Sequence, residues 1–303
     1  MSLDFTPQMV NRDDNKIIVI GTSGELAKLD FNYEYISPYS KPFPTTIMSG
    51  VLFENVWIGI WIDRELQDAR MAGIPLGINW ENGIGRDILR TSSSIGDLDI
   101  KPKNSTWQKI LNAEPMGLSK VGENIVFATK NKGIYMINQE GEEIWRDHYP
   151  VWRDMEISAE MNPIVSIIED ASNIVIWSAA GGVMKLDQER VIKVSKIFRL
   201  KDKISNVKFS KEGRWFVMMH GKSIAILNDI EDEPFIIETP GPVLDACFES
   251  EKGVWRWTGW RHDGEMRIRD NYFSFKKREN IGIHISNSKI LTNDGFWEDY
   301  SSS

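Results

Sequence analysis

The chain has 303 residues, 41% hydrophobic and 26% charged, with a formal net charge of −8. These are globular proportions, and no apolar run approaches the roughly 20 residues a helix needs to cross a bilayer. The acidic balance opposes general attraction to nucleic acid or to an anionic membrane, since both require a positive footprint.

Met1 to Val10 has neither the basic start nor the apolar stretch of a secretory leader, so a cytoplasmic protein is expected. Residues 3–10 are expected to form either the inner strand of the first structural unit or the missing outer strand of the last. Ile17 to Ile20 is a β-branched run, and after Gly24 comes a second, Leu26 to Leu29, closed by Asp30. Glycine supplies the positive φ of a tight turn, and the terminal Asp or Asn bonds its own backbone to open the next one. The pair reads as a hairpin.

The same grammar recurs downstream. Ile125 to Ala128 precedes Gly133 and Ile134 to Asn138; Ile174 to Trp177 precedes Gly182 and Val183 to Asp187. Trp215 to Met219 precedes Gly221 and Ile224 to Asn228; Val254 to Trp260 precedes Gly264 and Met266 to Asp270. A third run lies upstream of each of the last three pairs (Ile164 to Ile168, Ile204 to Phe209, Val243 to Phe248), and a fourth downstream (Val194 to Leu200, Phe235 to Glu238, Tyr272 to Phe275). Each unit is a four-stranded meander. Units begin near Pro163, Lys203, Pro242 and Ile281, a spacing of about 40 residues typical of propeller blades.

Tracing back gives a unit over about 115–162, a longer one over about 41–114, and one at the N-terminus. The last unit is truncated to Ile281 to Ser286, Lys289 to Thr292 and a short third strand within Phe296 to Tyr300. Because a lone meander cannot bury both faces, the units must stack. The expected fold is all-β, a single β-propeller domain over 1–303 with about seven four-stranded blades, six or eight being the alternatives.

The second unit is anomalous. Its third strand, near Leu66 to Met71, is separated from its outer strand, near Trp107 to Leu111, by more than the about 12–15 residues beyond which a loop is commonly functional or disordered. An insertion at about 73–104 is expected, holding Gly77 to Asp87 and a polar tract, Thr91 to Gly96. It reads equally as a partner-contacting excursion or as decoration.

Gly133 to Asn138, followed by Gly141-Glu142-Glu143-Ile144-Trp145, resembles the repeat of quinoprotein-like (PQQ-like) propellers. That resemblance implies that Trp145 docks between neighbouring blades. The other copies lack a Trp at this offset, and the chain is also similar to WD-repeat-like (WD40-like) propellers, although no Trp-Asp dipeptide ends its strands. Both resemblances concern architecture and carry no function. No residues specify a quinone site, so no cofactor is expected.

Candidate contact residues sit on loops expected at one end of the blades: Trp61, Asp63, Arg64 and Glu65; Trp152 and Arg153; Trp260, Arg261 and His262. Trp80 lies in the insertion, which leaves from the opposite end. Trp and Arg concentrate at the energetic centres of interfaces, while blade core is the commoner fate of any one of the twelve tryptophans. Asp63, Glu65, Asp68 and Arg70 read as a solvated, salt-bridged hairpin rather than a catalytic pair. His148, His220, His262 and His284 belong to different units without HxxxH or HxH spacing, and no metal site is expected. The single Cys247 excludes a disulfide framework and reads as a buried structural thiol. The favoured function is a non-enzymatic scaffold presenting Trp, Arg and acidic loops to a protein partner. The alternative is a propeller hydrolase or lyase, with or without a divalent cation, acting at the mouth of a central channel.

Overall fold

The computed structural model describes residues 2–13, 16–94, 100–286 and 289–300. These fall into two compact units, Phe5–Tyr149 and Pro150 onward, the second also holding Ser2–Asp4.

In the first unit, β1 (Pro7–Arg12), β2 (Ile17–Gly21) and β3 (Leu26–Leu29) form the first sheet; two isolated bridges, Leu26 to Ser40 and Leu29 to Tyr35, stand where a fourth strand would. The second sheet is β4 (Thr46–Leu52), β5 (Val56–Asp63), β6 (Asp68–Pro75) and β7 (Trp107–Ile110). The third is β8 (Pro115–Val121), β9 (Asn124–Thr129), β10 (Gly133–Ile137) and β11 (Glu143–Asp147).

The second unit holds the fourth sheet, β12 (Ile164–Asp170), β13 (Asn173–Ser178), β14 (Gly182–Leu186) and β15 (Ile192–Ile197). The fifth is β16 (Ile204–Ser210), β17 (Arg214–Met219), β18 (Ser223–Leu227) and β19 (Phe235–Glu238). The sixth is β20 (Val243–Glu249), β21 (Val254–Gly259), β22 (His262–Arg267) and β23 (Tyr272–Lys277). The seventh is β24 (Gly282–Ser286), β25 (Lys289–Thr292) and β26 (Trp297–Asp299). All seven are antiparallel meanders, and the fold is a seven-bladed β-propeller whose described residues include one α-helix, α1 (Arg86–Ser94).

The second strand of each sheet is buried on both faces, which is why these segments read as continuous apolar runs. Along β5 the period of two sends Trp57 and Trp61 into the core shared with Ile18, Ile20 and Leu26 of the first sheet. Ile58 and Ile60 go into the core shared with Ile125, Phe127 and Ile137 of the third. Trp215 and Val217 on β17 likewise pack with Val175 and Trp177, and Phe216 and Met218 with Trp255 and Trp257.

A bulge recurs at the start of every first strand: the register slips between Pro7 and Met9, Ile47 and Ser49, Met116 and Ser119, Ile164 and Ser166, Ile204 and Asn206, Val243 and Asp245, and Gly282 and His284. A bulge re-aims the side chain after it. In the second unit the side chains of Ser166 and Asp245 reach the next sheet. Ser166 Oγ accepts the Val207 N–H at 2.9 Å, and Asp245 accepts the Ile285 N–H at 3.1 Å, giving edge amides a partner that no strand provides.

Two boundaries differ from the sequence reading. β6 runs on to Pro75 because Met71 and Ile74 continue the buried pattern and proline, lacking an N–H, ends it; the excursion therefore spans 76–106. The N-terminal segment serves both expected roles in part: Pro7 onward is the inner strand β1, while Ser2 bridges Phe296 and the Leu3 N–H donates to Gly295 O at 2.9 Å. Of the tract Thr91 to Gly96, the helix includes Thr91 to Ser94, and Ile95 and Gly96 lie outside the described residues.

Candidate functional site

In the first unit the excursion is fastened to its own sheets. Lys28 on β3, 6% exposed, donates Nζ to Leu76 O (3.2 Å) and Ile78 O (2.5 Å) beneath the Trp80 ring; burial pushes its ammonium pKa down. Trp80 is buried and bonds Pro75 O through Nε1–H at 2.8 Å. The Gly83 N–H meets Lys41 O and the Lys103 N–H meets Pro42 O, both at 2.9 Å; a Cβ on Gly83 would sit 2.0 Å from Pro42 O, so glycine is required there.

Leu89 of α1 packs in the core with Phe43 and Trp61. That contact aims Arg86 and Arg90 at the β5–β6 turn. Arg86 pairs with Asp63 (2.7 Å) and Glu65 (2.9 Å), and Arg90 with Glu65 (3.0 Å). Asp63 also accepts the Glu65 and Leu66 N–H groups, and hydrogen bonds from Arg86 and then Arg90 hold the Glu65 carboxyl below its usual range. The excursion thus leaves one end of the second sheet and folds back to the turn at the other, so two loops expected to form separate surfaces meet. Asp68 and Arg70 pair at 2.6 Å, and Arg70 is buried against Phe43, whereas the sequence reading put this hairpin in solvent.

In the second unit the β21–β22 turn presents Trp260, 55% exposed, beside exposed Arg261 at φ 59°. The turn is braced from below. Trp260 N–H donates to Pro242 O (2.9 Å), and the backbone N–H of Arg278 donates to Arg261 O (3.0 Å). The Arg278 guanidinium grips buried Asp263 through Nε (3.0 Å) and Nη2 (2.6 Å) and also pairs with Glu298, while Thr258 Oγ1–H donates to Asp263 at 2.7 Å. His262, 2% exposed, bonds Trp260 O through Nδ1 at 3.2 Å, and burial pushes its pKa down. Leu244, the bulge residue of β20, is exposed at the same end of the sheet.

Of the ten residues singled out from sequence, Trp61, Asp63, Trp80, Trp152 and His262 are buried, and Arg64, Glu65, Arg153, Trp260 and Arg261 are exposed. Trp152 bonds Val183 O at 2.9 Å and its ring covers Gly182. Arg64 pairs with Glu114 at 3.0 Å. Trp145 is half-buried on β11 opposite Met136; a tie between sheets comes from Trp107, whose Nε1–H meets Gln139 O at 2.7 Å and whose ring lies against Gly141. Cys247 is half-buried on β20. Among the described residues, no group of three or more His, Cys, Asp and Glu side chains is placed to hold a metal ion.

Sequence reasoning missed a buried cluster. Asp245 binds Lys208 Nζ at 2.7 Å and His284 Nδ1 at 2.5 Å. Burial alone would raise its carboxyl pKa, but Lys208 and then His284 outweigh that and hold it well below the carboxylate range. The three residues fall about one repeat apart, near 40 positions, which was the available signal.

No protein-family model and no curated protein matches the chain. Solved structures do. The β-propeller domain of Cps50 (Swd1) from Myceliophteria thermophila is 11% identical, matching 96% of this chain and 93% of that one with a TM-score of 0.65. Raptor from Chaetomium thermophilum is 8% identical, matching 98% of this chain and 28% of that one with a TM-score of 0.67. At such identities the likeness is one of fold, and over nearly the whole chain that fold is the β-propeller.

Proposed function

We propose that the protein is a non-enzymatic interaction scaffold whose rigid turns hold Trp260, Arg261, Arg153, Arg64 and Glu65 against a protein partner. The observation that carries this reading is Trp260, an indole more than half in water on a turn braced by the buried Arg278–Asp263 pair. A large apolar ring carried on a braced backbone spares the ordering of the turn on binding, which suits it as an anchor. Exposed Leu244 extends the apolar area, and Arg261 supplies the charged rim.

Trp61, Asp63, Trp80, Trp152 and His262 shape these loops from beneath. Asp63 and Asp263, the carboxylates a hydrolase or lyase reading would use, are each engaged by an arginine. Coverage of 96% by a single propeller domain supports taking the seven sheets as one domain with an insertion in its second blade. A cytoplasmic setting suits a chain with one cysteine.

Affinity capture from the source cells tests the reading, with the wild type set against a Trp260→Ser/Arg261→Ser variant of matched melting temperature. The variant is expected to lose the captured proteins at least tenfold. An unchanged set refutes the reading.

A further inference from the structure

In the second unit, β15 is the last strand of its sheet and pairs with β14 alone. It begins a basic stretch: between positions 190 and 203 stand Arg190, Lys193, Lys196, Arg199, Lys201 and Lys203 against one acid, Asp202, in a chain whose net charge is −8. Beside it runs Val151 to Asp154, pinned by the Trp152 hydrogen bond to Val183 O. Between the two lies a groove of about 620 Å³.

The apolar lining is Val151, Trp152, Met184, Ile192 and Ile197, with Val151 65% and Ile192 54% exposed and Trp152 buried. The charged lining is Arg153, Lys196 and Arg199 against Asp154. Lys196 is already engaged by Glu231 O, Asp232 O and Glu233. Lys193 and Lys201 pair with Asp187 and Glu238. Arg153 and Arg199 form no ion pair among the described residues, which leaves two guanidiniums over an apolar floor.

We propose that this groove receives a short acidic peptide segment of the protein partner, its carboxylates on Arg153 and Arg199 and an aliphatic side chain between them on Val151 and Ile192. Guanidinium forks match carboxylates in two-point geometry, and the groove's charge opposes that of the peptide while the rest of the chain repels it. A nucleic acid fits less well. Two unpaired cations neutralise about two phosphates, a small electrostatic gain, and the one aromatic ring of the lining, Trp152, is 5% exposed and lies against Gly182, so it offers no open face for a base to stack on. The inference rests on the scaffold reading and names the chemistry of one of its contacts.

A phage-displayed random peptide library, selected on the full chain and counter-selected on Arg153→Glu/Arg199→Glu, tests it, with recovered peptides and a polyuridine RNA titrated by fluorescence anisotropy. The expected peptides carry Asp or Glu around an aliphatic residue, bind at least tenfold more weakly to that variant, weaken with salt, and bind Trp260→Ser/Arg261→Ser as they do the wild type. Neutral or basic peptides, equal affinity for the charge-reversed variant, failure to select any peptide, or RNA binding lost in the same variant would overturn the proposal. If those results come with capture that still depends on Trp260, the groove assignment falls and the scaffold reading stands; loss of both removes the two together.

Discussion

Replacing Asp245 by asparagine keeps the shape of the side chain and removes its charge. Asp245 is 5% exposed and holds Lys208 Nζ, His284 Nδ1 and the Ile285 N–H at 2.7, 2.5 and 3.1 Å. Removing one member of a buried pair costs about 3–5 kcal/mol, and Lys208, whose side chain keeps 38% of its exposure, recovers some hydration, which brings the expected loss to about 2–4 kcal/mol. Urea unfolding at neutral pH should show the midpoint falling with the slope unchanged. The pH dependence follows from the depressed carboxyl. Its stabilisation is present above the unfolded value near 3.9 and is lost as pH falls below about 4 toward the folded value. The wild type should therefore lose stability over that window faster than Asp245→Asn, and the gap between them should narrow. A loss under about 0.5 kcal/mol at neutral pH, or a gap as wide at pH 3 as at pH 7, would refute the reasoning.

Gly83→Ala places a Cβ 2.0 Å from Pro42 O. Limited proteolysis should then cut the 76–106 excursion faster, with little change in global unfolding. Arg86→Ala with Arg90→Ala frees α1 from the β5–β6 turn, and hydrogen exchange should accelerate over Arg86–Ser94 while the flanking strands stay protected. Buried His262 has a lowered pKa, so its neutral form favours the fold above the unfolded value near 6.5, and this is lost as pH drops through the folded one. His262→Phe should flatten that acid limb in a thermal-melt series. Trp57→Ala, which empties a site edge-on to Trp61 and breaks the bond to Asn11 Oδ1, should cost about 3–5 kcal/mol by denaturant titration.

Much of the fold was legible because its punctuation is local. Gly182 and the strand to Leu186, or Gly133 and the strand to Ile137, announce themselves within a few residues through turn chemistry and period-two burial. What stayed hidden depends on partners far along the chain. Trp61 and Trp260 look alike in sequence, each within two residues of a charged side chain, yet Trp61 lies inside β5 facing the core while Trp260 sits one residue beyond the end of β21. His262 looked like part of a surface loop, but it opens β22 and is covered through its pairing with Lys277. The bulges that turn Asp245 toward Lys208 and His284 leave no mark of their own in composition. The return of α1 to Asp63 required pairing residues more than twenty positions apart.

The side chains that bulges of the second unit deliver to a neighbouring sheet also make strand alignment self-checking. A one-residue slip of β20 would swing Asp245 to the opposite side, stranding an ammonium on β16 and an imidazole on β24 at once. A misaligned strand is thereby penalised in three sheets rather than one, so proofreading is built into the polar seam rather than left to the apolar layers, which tolerate exchange of one aliphatic side chain for another.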